Sequence, residues 1–348
     1  MTRLNATLER IQPVDPQWIE RARARQLELT KPPGSLGRLE EIANRVAAIQ
    51  GSLTPNVDRA RIVLFAADHG VCAEGVNPYP QAVTAQMVAN FLRGGAAINA
   101  LARSAGVELE IVDAGVVHDI PVTEGLIRCP ISRGTANFCT GPAMTEEQAI
   151  AALLLGVERS DGAANLQGMG EMGIANTTAA SAVAAALTGL DPAAVIGRGT
   201  GADDACMARK RSAVERALAL HGPQLHSPLD ILRRLGGFEI GAMAGLCLDA
   251  AARRCAVLVD GFIATAAAAL AVRFHPAVGD YLIPAHRSTE PGHAPLLEIV
   301  GHRPLLDLEM RLGEGTGAAL AMPLCDAAIR VLREMATFAD AGVSDREA

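Results

Sequence analysis

Aromatic residues are scarce in this chain of 348: they make up 3% of it, although half of the residues are hydrophobic. A core of that composition must be built from Ala, Val, Ile and Leu, as in layered α/β proteins whose central strands are buried on both faces. Positive charge is also short. Lys and Arg number 31 against 38 Asp and Glu, a formal net charge of -7, which argues against nucleic acid as a partner because phosphate backbones recruit basic side chains. No C-x-x-C pair occurs among the seven cysteines, Cys72, Cys129, Cys139, Cys206, Cys247, Cys255 and Cys325. Their odd number in a long chain implies buried free thiols in a reducing cytoplasm.

Long apolar runs are missing as well. The N-terminal stretch MTRLNATLERIQPVDP has no run suited to a signal peptide. The segment AVLVDGFIATAAAALAV (256–272) is broken by Asp260 and Gly261, so it reads as a buried strand followed by a helix, not as a membrane span. A cytoplasmic protein that engages no membrane is expected. There is no G-x-S-x-G elbow and no H-E-x-x-H, which leaves serine-hydrolase and zincin chemistry without support. His69 beside Asp68, and His286 with His293, lack the spacing of a zinc site. No metal is expected.

What the chain does have is a repeated design of short β-forming runs that end in small or polar residues. These are RIVLFAADHG (61–70), VELEIVDAGV (107–116), ANLQGMGE (164–171), AAVIGRGTG (193–201), CAVLVDGF (255–262) and YLIPAH (281–286). Between most of them lie Ala-rich stretches at helical spacing, such as 177–189 and 203–222. Alternation of this kind predicts an α/β fold with a doubly wound, mainly parallel sheet. Ligands of such sheets bind at the carboxyl ends of the strands, which here carry Asp68, His69, Asp113, Glu171, Asp260 and His286. Amphipathic helices at 36–51 and around 324–335 predict a small helical domain made from both termini (1–50 with 325–348) beside a large α/β domain (51–324).

Two glycine-rich segments stand out. GMGEMGIANTT (168–178) follows a strand and opens a helix, with Asn176, Thr177 and Thr178 suited to an N-cap and the helix terminus suited to an anion. An ordinary tight turn would look the same, but Glu171 at so crowded a place is costly unless it contacts something. GRGTGADD (197–204) is G-x-G-x-G, not G-x-G-x-x-G, and lacks an acidic strand end about 20 residues on, so it supports a phosphate or ribose better than a nicotinamide dinucleotide. Lys210 on the following helix reads as a solvated residue unless a ligand claims it. In RLGEGTGAAL (311–320), Glu314 stands between glycines in apolar surroundings, which favour a raised pKa. By itself that carboxylate reads as one that holds its loop by accepting backbone N–H bonds.

KPPGSLGRLE (31–40), ADHGV (67–71), GEMGIANTT (170–178), DGF (260–262), YLIPAH (281–286) and RLGEGTGAALAMPL (311–324) run in order over most of the chain. In these stretches the sequence resembles the nicotinate-nucleotide–dimethylbenzimidazole phosphoribosyltransferases of cobalamin assembly. The resemblance implies a homodimer with a Rossmann-like large domain and a small helical domain from both termini. It implies transfer of phosphoribose from nicotinate mononucleotide to 5,6-dimethylbenzimidazole or a related base, giving α-ribazole 5′-phosphate and nicotinate, without a cofactor. Glu314 and Glu171 fall on the family's catalytic carboxylates and Lys210 on its active-site lysine. Tyr79 and Met87 would line the base pocket. Gly173, Ile174, Asn176, Thr177, Gly199, Ser288, Leu312 and Gly313 would contact substrate. An oxidoreductase using a nicotinamide dinucleotide and a non-enzymatic nucleotide-binding regulator are the competing readings.

Overall fold

The computed structural model describes residues 2–121, 124–160 and 162–344. Six strands form one sheet: β1 (Ala60–Ala67), β2 (Glu108–Gly115), β3 (Leu126–Arg128), β4 (Leu166–Met172), β5 (Ala256–Val259) and β6 (Leu282–Pro284). Every pair is parallel, in the order β3-β2-β1-β4-β5-β6. The chain winds outward from β1 to β3 and then returns to β1's other flank, so a crevice opens at the carboxyl ends of β1 and β4. The chemistry-bearing strand ends expected from the sequence all lie at this edge of the sheet.

Helices fill the crossovers. α1 (Thr2–Arg10), α2 (Pro16–Glu28) and α3 (Arg38–Gln50) precede β1, while α4 (Ala82–Leu92) and α5 (Ala97–Ala105) join β1 to β2. α6 (Glu146–Arg159) leads into β4, followed by α7 (Asn176–Thr188), the short α8 (Pro192–Val195), α9 (Asp204–His221), α10 (Pro228–Leu235) and α11 (Phe238–Ala252). α12 (Phe262–Phe274) joins β5 to β6, and α13 (His293–Val300) and α14 (Thr316–Glu334) come after it. Successive residues of β4 show that helices cover both faces of the sheet, as strand geometry requires. Met169 meets the Cys247 thiol of α11 at 3.7 Å. A Cβ on its neighbour Gly168 would instead lie 2.9 Å from Met322 and 3.1 Å from Ala318, both of α14.

One expected strand is absent and one unexpected strand is present. AAVIGRGTG is not a strand: Asp191 accepts a bond from Ala193 N, Pro192 opens the one turn of α8, and a glycine loop follows. A short apolar run bounded by turn residues does not by itself distinguish buried strand from buried helix. The edge strand β3, only three residues long, carries no alternation to detect.

The termini do meet. α3 packs against α2 and α14, Leu29 bridges Thr337, and Thr30 N donates to Ala336 O. In KPPGSLGRLE, Lys31 pairs with Glu40 at 2.7 Å, and the same carboxylate accepts Leu36 N, which ties the turn ahead of α3. α1 goes elsewhere, onto α6 and α11. α14 runs unbroken through 324–325, so one helix serves both the sheet and the terminal helices. Residues 1 and 345–348 of the expected helical domain lie outside the described residues.

α6 and α11 approach through reciprocal glycines. A Cβ on Gly156 would fall 1.8 Å from Ala242 O, and one on Gly245 would fall 1.9 Å from Leu153 O. Gly156→Ala and Gly245→Ala should each destabilise the fold by about 1–3 kcal/mol or more by forcing the helices apart. Thermal denaturation checks this, and the folded fraction should keep its substrate affinity.

Candidate active site

The site begins with backbone geometry. Glu314 has φ 61°, between Gly313 at 82° and Gly315 at 83°. A left-handed run is costly for a residue with a Cβ, of order 1 kcal/mol or more, and persists only where the surroundings enforce it. Those surroundings are close. A Cβ on Gly170 of β4 would lie 2.6 Å from Glu314 O, and a Cβ on Gly313 would lie 2.1 Å from the Glu171 carboxylate. The glycines of GMGEMG and GEGTG therefore let the loop before α14 lie directly on β4.

Three buried carboxylates converge there: Glu171 from β4, Asp260 from the end of β5, and Glu314. Asp260 accepts Gly315 N at 2.9 Å and Gly317 N at 2.7 Å, which caps α14 from another strand. Glu171 accepts from Asn176 Nδ2 and, at 3.4 Å, from Glu314 N. Among the described residues the Glu314 carboxylate itself takes no hydrogen bond. The loop-holding role that the sequence suggests for Glu314 thus belongs to Asp260. Burial, then the charge of Asp260, push Glu314 up to about 7. Burial, then the charges of Asp260 and Glu239, push Glu171 well above the usual carboxylate range.

A second cluster adjoins the first. Lys210 is buried, not solvated, and its Nζ donates to Thr177 Oγ1 at 3.1 Å and to Gly197 O at 2.9 Å. Burial lowers its pKa, with the charge of Glu290 opposing. Glu290 accepts Gly199 N at 2.9 Å, and its own N–H faces Ser288 Oγ at 3.3 Å. Arg311, just before the Glu314 turn, donates to Gly199 O at 2.6 Å. Asn176 and Thr177, consecutive in α7, reach Glu171 and Lys210 respectively and so join the two clusters. Asn176, Thr177 and Thr178 do not provide the N-cap. Ala175 does, at φ 75° and without a side-chain bond, because Asn176 is committed to Glu171.

The remaining expected residues divide. Gly173 lies against Ala67 O, where a Cβ would sit 2.2 Å away. Ile174 N donates to Thr84 Oγ1, and Thr84 in turn donates to Asp68 Oδ1 at 2.6 Å, which ties α4 to the crevice. Met87 is one turn beyond Thr84 and half-buried, while Tyr79 before α4 and Leu312 before Glu314 are exposed. Sequence reasoning placed Asp68, His69, Asp260 and His286 at strand ends but not in the site. It missed Glu239, which holds His69 Nε2 at 2.6 Å from the first turn of α11, and also Glu290 and Arg311. None of the three lies at a strand end, so no local pattern in the sequence pointed to them. His293 is engaged by Ser288 N and Thr265 and is not free for a metal; among the described residues no cluster could hold one.

A family model described as Phosphoribosyltransferase matches residues 11–343. The nicotinate-nucleotide–dimethylbenzimidazole phosphoribosyltransferase of Chloroflexus aggregans is 52% identical over all of this chain and 99% of its own. The chain belongs to this family. The namesake from Geobacter metallireducens is also 52% identical, over 99% of this chain and 98% of its own. A crystal structure of the Thermus thermophilus enzyme of the same name superposes with a TM-score of 0.90 at 50% identity, over 95% of this chain and 100% of that one.

Glu314 makes stability depend on pH. Its carboxyl titrates near 7 in the folded protein and near 4.5 when exposed. The folded state therefore binds the extra proton between those values, and stability falls as pH rises through that window, the deficit being complete above it. Glu314→Gln should raise the melting temperature at pH 8, by the equivalent of about 1–3 kcal/mol after screening, and lose that advantage near pH 4.

Proposed function

We propose that the protein transfers phosphoribose from nicotinate mononucleotide to 5,6-dimethylbenzimidazole or a related base, giving α-ribazole 5′-phosphate and nicotinate. The observation that carries the chemistry is a buried carboxylate, unbonded among the described residues and titrating near 7, at the switch-point crevice. In the proposed step one ring nitrogen of the benzimidazole attacks C1′ as the C1′–N bond to the pyridinium breaks. The bond pair neutralises the departing nicotinate ring, configuration at C1′ inverts, and the proton of the second benzimidazole nitrogen passes to Glu314. A base whose pKa lies near the working pH is well matched to that transfer.

Glu171 is held toward its neutral form. The cationic pyridinium ring of the bound nucleotide would oppose that bias, so the carboxylate ionises where oxocarbenium character develops on the ribose. The 5′-phosphate is assigned to the start of α7, near Asn176 and Thr177, where Lys210 adds a positive charge and Gly199 and Ser288 lie close. Leu312 and Gly313 would border the ribose, and Tyr79 and Met87 would receive the base. A homodimer is part of the same proposal. So is a cytoplasmic location, which rests on seven free cysteines. No helix among the described residues is long and apolar enough to cross a membrane.

Incubation with nicotinate mononucleotide and a panel of bases, with products identified by mass, tests the reaction; absence of any ribosylated base would refute it. Glu314→Gln should cut turnover about 10²–10⁴-fold with nucleotide binding retained, and wild-type kcat/KM should fall as pH drops below about 7. Nicotinate riboside should react far more poorly than the mononucleotide, since each lost charge-assisted bond removes roughly 1.5–3 kcal/mol. Equal kcat/KM for the two would take the phosphate away from α7.

A further inference from the structure

The sequence placed Asp260 at a strand end without giving it a role, yet the Glu314 turn is built around it. Its two oxygens accept Gly315 N and Gly317 N, on either side of Thr316, in the turn that follows Glu314. His286, from the end of β6, stands behind it with Nε2 3.4 Å from Asp260 Oδ1. Both groups are 1% exposed. The third glycine of GEGTG is explained by this pair: a Cβ on Gly317 would lie 1.9 Å from His286 Cδ2 and 2.7 Å from Asp260 Oδ1. His286 is anchored in its turn, because Leu306 N donates to Ala285 O and Arg287 N donates to Leu306 O.

We propose that Asp260, backed by His286, is the positioning residue of this site: it holds the Glu314 turn in place and sets a fixed negative charge opposite the Glu314 carboxyl. The proposal rests on the reading of Glu314 as the general base, and it makes Asp260 act through Glu314 without touching substrate. Two bonds from one carboxylate to the N-terminus of α14 fix where the helix begins, and with it the direction of Glu314. The charge has a separate consequence. A like charge in a dry pocket disfavours ionisation, so Asp260 raises the affinity of Glu314 for the proton it must collect. His286 moderates that effect, because burial opposes its charge while the neighbouring Asp260 carboxylate favours it, with a net upward shift. The other charged groups around the turn are Glu171 on β4, Glu239 and His69 beyond it, and Arg311, which is turned to Gly199 O.

The experiment titrates Glu314 directly, by carboxyl carbon NMR of protein carrying labelled glutamate, with Glu314→Gln used to assign the resonance. Asp260→Asn removes the negative charge and should lower the Glu314 pKa by about half a unit to one unit; His286→Gln removes the positive charge and should raise it. The acid limb of the kcat/KM profile should move with each, in opposite directions, while KM for nicotinate mononucleotide stays within about threefold. A merely structural cap predicts no such opposition. A Glu314 pKa unmoved in both variants overturns the proposal, as does movement of both in one direction. Should Asp260→Asn fail to fold, His286→Gln decides alone, since glutamine keeps a polar side chain there and drops only the charge. If Glu314 titrates as expected while the rate profile does not follow, the coupling stands and the general-base reading falls.

Discussion

The backbone of residues 313–315 rests directly on β4, and the rest of the site depends on that contact. No side chain separates loop from strand. Gly168 makes room for α14, Gly170 for the Glu314 carbonyl, Gly313 for the Glu171 carboxylate and Gly317 for His286. An added Cβ on Gly170, Gly313 or Gly317 would come within 2.6, 2.1 or 1.9 Å of its neighbour and displace the turn, a large error where hydrogen-bonding geometry governs reactivity. The local strain of a left-handed Glu314 is tolerated because Asp260, Glu171 and β4 restrain it from three sides.

That closeness has an electrostatic cost which the chemistry uses. Glu171, Asp260, Glu314, Asp68 and Glu239 are all buried around one crevice, with His69 beside Glu239 and His286 beside Asp260. Several negative charges in so dry a place cannot all be stabilised equally. Those with strong donors, such as Asp260 and Asp68, are provided for by backbone N–H and hydroxyl groups. Glu314, with no donor among the described residues, is pushed up to about 7 by burial and then by Asp260, while burial raises Glu171 and Asp68 in spite of their donors. The same shift that would make Glu314 a competent base makes it a liability for stability at neutral pH, a familiar conflict at functional sites.

α14 carries this arrangement to the periphery. Its first turn is fixed by Asp260 and its later turns pack on α3, so the turn that aims Glu314 and the helices of both termini share one rigid element. The Lys31–Glu40 pair in turn orders the approach to α3. Motifs far apart in the chain, KPPGSLGRLE and RLGEGTG, are thus mechanically connected through a single helix.

Much of this was legible in the sequence. Local composition specified five of the six strands, the helices at 177–189 and 203–222, and the glycine-flanked carboxylate, because alternation, alanine spacing and glycine are local signals that survive folding. The segment 193–201 misled, since its apolar residues fit a buried turn of helix as well as a strand, and β3 was too short to announce itself. Burial of Lys210, the shift of the cap to Ala175, and the transfer of the loop-holding role from Glu314 to Asp260 were decided only by the tertiary structure. Each depends on groups far apart in the sequence, brought together where parallel crossovers return the chain to the same edge of the sheet. Desolvation and charge are properties of that meeting place, and no local pattern of residues records them.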